Sequence, residues 1–257
     1  MNLEITTLRF RGLKFVTDSQ NSWAVYSVCF SGDYEPLLGV LRKGDVVLDA
    51  GANIGCFSVL ASRRARKVLA VEPNPDTFKL LVQNLRVNHA SNVTPFNLAL
   101  SDKEGIAFLE KHGLESHISD KGVKVRTSTV DELTNGEASI IKVDIEGSEV
   151  EALAGSYRTL QRARAVLFET HGTEKDILRE LAKFGFRTRL VDVRFSQKLR
   201  NAATIDFLYD ELATRFAGIS SRVTSKKGRS NALSGHLFRI LYATKSSQAH
   251  ASQSPMT

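Results

Sequence analysis

Cysteine is scarce: Cys29 and Cys56 are the only two in 257 residues. Two thiols so far apart along the chain are too few for a zinc cluster or a disulfide framework, and they fit a reducing compartment. No stretch approaches the ~18 apolar residues that a membrane span requires. The start, Met1-Asn2-Leu3-Glu4, has no basic region followed by an apolar run, so a signal peptide is not expected. The expectation is a soluble, cytoplasmic protein without a transmembrane segment. Acidic residues are missing altogether after Glu211, where Arg215, Arg222, Lys226, Lys227, Arg229, Arg239 and Lys245 make seven bases. Setting those seven aside leaves 28 bases against 28 acids, so the formal charge of +7 belongs to that one stretch. A nucleic-acid partner recruited by overall charge is therefore disfavoured. The stretch itself reads as a solvated tail, as a contact for RNA phosphate, or as attraction to an anionic membrane surface.

What is present fits one folded domain with a sizeable core, since 42% of residues are hydrophobic and 25% charged. Small strands are expected before residue 30, and Asp33-Tyr34-Glu35-Pro36 opens a short helix. From there strand and helix alternate: apolar strands at 46–49, 67–71, 93–98, 139–144, 165–169 and 186–191, helices at 57–64, 76–88, 148–160 and 173–184. A hairpin-like region at 105–129 interrupts the series, and residues 236–243 read as one more strand. Such alternation predicts an α/β chain with a doubly wound, mostly parallel sheet covered on both faces. The expected organisation is N-terminal strands and lead-in over 1–36, a catalytic domain over 37–245 containing an insertion or lid at 194–234, and a disordered tail at 246–257.

Two motifs lie at strand ends, where ligands bind in open α/β sheets. The first strand runs into Asp49-Ala50-Gly51-Ala52-Asn53-Ile54-Gly55. Gly51 allows a sharp turn, Gly55 lets the next helix pack closely, and Asn53 tolerates the dihedrals between them. The second strand ends in Glu72-Pro73-Asn74-Pro75, about 20 residues on, where a carboxylate can accept hydrogen bonds from ribose hydroxyls as in dinucleotide folds. The pair implies an adenosine-type ligand. A pyrophosphate is disfavoured, because the dinucleotide fingerprint needs glycine where Asp49 and Ile54 stand, and an anionic Asp49 suits a sulfonium and an ammonium instead. The Gly-Lys-Ser/Thr of a phosphate-binding P-loop is also absent.

A third block, Ile141-Lys142-Val143-Asp144-Ile145-Glu146-Gly147-Ser148-Glu149, gathers acids at the end of the central strand. Neighbouring carboxyls raise one another's pKa, which can leave one fit to take a proton from a hydroxyl. Asp144 is the first candidate base, with Glu146 and Glu149 either sharing the site or capping the next helix. Glu169 and His171 form a second candidate pair.

In order, these three motifs resemble the FkbM family of methyltransferases, over roughly residues 34–243. The resemblance implies the class I, Rossmann-like fold, a seven-stranded sheet whose last strand is antiparallel, and S-adenosylmethionine as methyl donor. By the same likeness Asp49, Gly51, Ala52, Asn53 and Gly55 would hold the methionine part, Glu72 the ribose, and the Asn97-Leu98-Ala99 turn with Ser101-Asp102 the adenine, with Pro73 and Asn74 also among the cofactor-binding residues. Glu35 would fold over the cofactor; no metal site is expected. The implied reaction is O-methylation of a saccharide, glycolipid or small natural product. The rival is an RNA (tRNA) methyltransferase using the basic C-terminal segment, although amino-group enzymes of that kind carry Asn/Asp-Pro-Pro-aromatic where Asp144-Ile145-Glu146-Gly147 stands. A binding module without transfer is the third class.

Overall fold

A computed structural model describes residues 5–19, 21–31, 33–112, 115–170, 172–191 and 239–245. The insertion or lid expected at 194–234, the tail at 246–257 and the candidate His171 lie outside them.

The chain opens with an antiparallel hairpin of β1 (Ile5–Phe10) and β2 (Leu13–Asp18). Residues read from sequence as further small strands are helical instead: α1 (Ser22–Tyr26) runs into a π-helical turn over Ser27–Ser31. β-branched and aromatic side chains imitate a strand pattern here, and tertiary packing overrides it. A short α2 (Glu35–Leu38) leads to β3 (Val46–Ala50), α3 (Cys56–Ser62), β4 (Lys67–Val71), α4 (Pro75–Val87) and β5 (Val93–Phe96). Next come β6 (Ala99–Leu100), β7 (Gly105–His112), β8 (Glu115–Ser119), β9 (Val123–Ser128) and α5 (Val130–Thr134). The second half contains β10 (Ile140–Val143), α6 (Glu149–Ala154), α7 (Tyr157–Arg162), β11 (Ala165–Thr170), α8 (Glu174–Lys183), β12 (Phe186–Val191) and β13 (Arg239–Lys245). The single helix expected at 148–160 is thus two, parted at Gly155-Ser156.

Seven strands form the central sheet in the order β12-β13-β11-β10-β3-β4-β5. All neighbours are parallel except at β13, which runs antiparallel to both β11 and β12. A mostly parallel sheet of this kind fits a class I methyltransferase. It is not the whole of the fold, because a separate four-stranded sheet, β6-β9-β7-β8, and the N-terminal hairpin are added to it. β3 and β10 are buried at every residue, and alternate side chains enter two cores. Val47, Val68, Ala70, Ile140 and Leu167 meet α3 and α4 on one face. Val46, Leu48, Leu69, Ile141 and Val166 join α6, α7 and α8 on the other.

Two polar devices fix this scaffold. Asp45, just before β3, accepts from Ser139 Oγ and from the Arg164 guanidinium, so the loops entering β3, β10 and β11 are tied at the amino end of the sheet. On α4, Asn84 accepts from Val16 N–H at 2.6 Å and donates to Val16 O and Ile54 O at 2.9 and 2.8 Å. One turn later Asn88 repeats the exchange with Lys14 of β2. The two amides behave like a neighbouring strand and dock the hairpin on the helix.

Candidate active site

The opposite, carboxyl end of the sheet collects Gly51, Glu72, Asp144 and Glu169 from the ends of β3, β4, β10 and β11. The turn after β3 is shaped by left-handed backbone at Gly51 (φ 73°), Asn53 (φ 49°) and Gly55 (φ 89°). A Cβ on Gly51 would lie 1.7 Å from the Asp144 carbonyl oxygen, so this glycine lets two strand ends touch. One on Gly55 would collide with Leu81 of α4 at 2.6 Å. The close approaches are therefore to the protein itself, to the Asp144 carbonyl and to Leu81 of α4.

Every N–H of the loop is in use. Gly51 and Ala52 donate to Val71 O, Gly55 donates to Ala52 O, Ile54 to its neighbour Asn53 Oδ1, and Asn53 to Glu72 Oε2. A pyrophosphate would need such donors free. The loop offers acceptors instead, above all the Glu72 carboxylate. Glu72 Oε1 accepts from Asn74 N–H at 2.8 Å and Oε2 from Asn53 N–H at 3.0 Å. Each oxygen keeps a second lone pair, a pattern suited to the two hydroxyls of a ribose. Burial pushes Glu72 up to about 7 against the lowering effect of those backbone donors. Asn97 donates to the carbonyls of Glu72 and Pro73, holding the acidic turn, while the Asn74 side chain caps α4 through Asp76 N–H.

Asp49 departs from expectation. It is fully buried, its Oδ2 accepts from Ser58 Oγ at 2.6 Å, and its Oδ1 lies 3.2 Å from Lys142 Nζ. The latter contact is an ion pair without hydrogen-bond alignment, so Oδ1 has no hydrogen-bond donor. The charge read as the partner of a sulfonium or ammonium is already neutralised inside the protein. The exclusion of pyrophosphate stands on the occupied N–H groups, not on repulsion by Asp49.

Lys142, which the motif reading passed over, is the hub of the cluster. Its ammonium donates to Gly51 O at 2.7 Å and lies 3.4 Å from Asp144 Oδ2. Burial pulls its pKa down, but the charges of Asp49 and Asp144 outweigh this and hold it above the usual lysine range. Tyr34 is the second side chain missed. Buried ahead of α2, its hydroxyl lies 3.0 Å from Asp144 Oδ2 and 3.1 Å from Glu169 Oε2. Burial first, and then Asp144, push Glu169 up to about 8.

The other candidates divide. Glu149 is buried, accepting from Gly147 N–H at 2.8 Å and Thr173 Oγ1 at 3.3 Å, so it ties the loop before α6 to the start of α8. Glu146 sits in left-handed backbone (φ 51°) and acts on Glu169 through its charge. Glu35 is exposed; its neighbour Tyr34 is the residue that enters the cluster. Ala99 is buried in β6, and Ser101 beside it contacts Asp102. Cys29 and Cys56, distant in sequence, are both free thiols, and burial first, then the nearby Cys29, pushes the Cys56 thiol up. Among the described residues no group of three or more His, Cys, Asp or Glu could hold a metal, and no helix is long and apolar enough to cross a membrane.

Residues 49–188, more than half the chain, match the family described as Methyltransferase FkbM domain. The chain belongs to the FkbM methyltransferase family. It is 33% identical over 165 residues to the hexuronic acid methyltransferase AglP of Haloferax volcanii, covering 60% of this chain and 68% of that protein. A tRNA (guanine(37)-N(1))-methyltransferase of Aedes aegypti is 35% identical over 101 residues, of which the chain spans only 17% of that enzyme's length. Among solved structures, the FkbM methyltransferase of Methylobacillus flagellatus KT has a TM-score of 0.47 and 19% identity, over 68% of this chain and 52% of that one. The FkbM match contains Asp49, Glu72, Lys142, Asp144 and Glu169 and begins after Tyr34.

Proposed function

We propose that this FkbM methyltransferase uses S-adenosylmethionine to methylate an oxygen of a saccharide, with Asp144 as the group that takes the acceptor's proton. The observation that carries the reading is the cluster of carboxylates at the strand ends, where Glu72 and the loop after β3 lie beside the Lys142–Asp144 pair. When bound, the cofactor supplies an electrophilic methyl carbon. Glu72 would receive its ribose hydroxyls, and the backbone of Gly51, Ala52 and Asn53, with Pro73 and Asn74, would shape the cleft beside it. Asp144 is held by Lys142 and Tyr34 on Oδ2, which leaves Oδ1 for a hydroxyl proton. The likeness to a hexuronic acid enzyme over two thirds of its length supports a sugar acceptor, free or lipid-linked.

The test is methyl transfer from labelled S-adenosylmethionine to hexuronic acid oligosaccharides, glycolipid fractions and bulk tRNA. Label in the sugar pools that disappears in Asp144→Asn is the expected result. Transfer to tRNA alone would replace the saccharide reading with the RNA one. Failure of the protein to bind S-adenosylhomocysteine by calorimetry would remove the cofactor assignment.

A further inference from the structure

The Tyr34 hydroxyl sits between two carboxyl oxygens, at 3.0 Å from Asp144 Oδ2 and 3.1 Å from Glu169 Oε2. A phenol has one proton and can donate to one of them only. At the other contact two oxygens would face each other through lone pairs unless that carboxyl carries a proton of its own. Protons must therefore be counted across the three groups together.

The positions of charge decide which carboxyl is neutral. Lys142 Nζ is 3.4 Å from Asp144 Oδ2, the oxygen that Tyr34 also meets, so the ammonium favours an anion there. Glu169 has no ion pair among the described residues. The groups acting on it are Asp144 and Lys142 from β10 and just beyond, Tyr34 from the segment before α2, and Glu146 from the loop before α6. Asp144 and Glu146 add negative charge around a largely buried carboxyl, while Lys142 is engaged by Asp49 and Asp144.

We propose that Glu169 is a positioning residue that stands protonated in the resting enzyme, donating to the Tyr34 oxygen, while Tyr34 donates to Asp144 Oδ2. The chain runs Glu169–COOH to Tyr34–OH to Asp144 carboxylate, closed by the Lys142 ammonium. It locks Oδ2 with two donors and leaves Oδ1 as the basic atom. Loss of the Glu169 proton breaks the order, because Tyr34 then serves two anions with one hydrogen. The role assigned to Oδ1 rests on the methyl-transfer reading; the location of the proton does not. Burial and the Asp144 charge place its loss near pH 8, far above the ordinary glutamate range.

The test uses the full chain labelled with 13C at glutamate Cδ, followed by NMR from pH 5 to 10 without cofactor or acceptor. Glu169→Gln identifies the resonance by its disappearance. The expected result is a carboxyl carbon that keeps the neutral-acid shift through pH 7 and titrates about 3 or more pH units above an ordinary glutamate. Tyr34→Phe should move that midpoint, since it removes the shared oxygen, and it provides a second assignment if Glu169→Gln folds poorly. A Glu169 carbon already in its carboxylate form at pH 6, or one indifferent to Tyr34→Phe, overturns the proposal. Calorimetry with S-adenosylhomocysteine on the same samples reads the cofactor assignment separately, so either can fail alone.

Discussion

Lys142 shows how a single residue turns a set of acids into a site. An ammonium in a strand buried at every position survives because Gly51 O, Asp49 and Asp144 surround it at 2.7, 3.2 and 3.4 Å. Replacing it with methionine leaves Asp49 fully buried without a counter-charge. Removal of one partner of such a pair typically costs about 3–5 kcal/mol. Urea denaturation should show a loss of that order for Lys142→Met, and Asp49→Asn added to it should recover part. Were Lys142 only filling space, the second substitution would make matters worse. The sequence contained the signal in Ile140-Ile141-Lys142-Val143, because a lysine within a strand buried on both faces has to be paired. Tyr34 carried no such signal: it lies 110 residues from Asp144, and nothing local foretells a contact of that range. Asp49, Glu72 and Asp144 were correctly read as strand-end acids, but which of them faces a ligand depends on neighbours from other strands.

At the scale of elements, β2 and α4 are joined by side-chain amides where a sheet would use backbone. Asn84 is fully buried and makes three hydrogen bonds, two to Val16 and one to Ile54 of the loop after β3. Asn84→Ala leaves a buried N–H and two carbonyls unpaired, each costing about 1–3 kcal/mol. Hydrogen exchange at Lys14 and Val16 should quicken markedly in this variant, and affinity for S-adenosylhomocysteine should fall because Ile54 loses its anchor. Unchanged exchange in β2 would mean that the hairpin is held by its apolar contacts alone. Phe78, Leu81 and Leu85 recur at helical spacing along α4; Leu81 and Leu85 are buried, and Phe78 is partly buried against the same core. Asn84 and Asn88 share that face without registering in a hydrophobic period, since a buried amide looks polar until its partners are known. The strand-like reading of residues 22–30 failed for a related reason. A five-residue helix and a π-helical turn have too few positions to display a period, and packing alone decides their form.

Across the whole molecule the two ends of the sheet respond to pH in opposite directions. At the amino end burial alone would raise Asp45, but hydrogen bonds from Arg164, Ser139 and Arg42 leave it below the usual carboxylate range. Its contribution is present above its unfolded-state value and is lost as pH falls through the folded one. At the carboxyl end burial raises Glu72 to about 7 and Glu169 to about 8. The stability tied to their neutral forms is complete below the unfolded value and is lost as pH rises through about 7 and then about 8. The ligand-free protein should therefore be most stable near mildly acidic pH and weaken until about pH 8, where both groups are ionised in the folded chain as well. Chemical denaturation across pH 2–9 should show this decline in the wild type and a much flatter profile in Glu72→Gln/Glu169→Gln, while Asp45→Asn should lower stability throughout the neutral range and converge on the wild type in strong acid, where Asp45 is itself protonated. A wild-type profile that rises through pH 7 would contradict the burial of both carboxyls. On the role proposed for Glu72, cofactor binding should have the opposite slope, since an ionised Glu72 would offer both oxygens to ribose hydroxyls. Affinity for S-adenosylhomocysteine should grow from pH 6 to 8 and lose that growth in Glu72→Gln. The site would then give up folding stability in the pH range where its charged form is needed to hold the ligand.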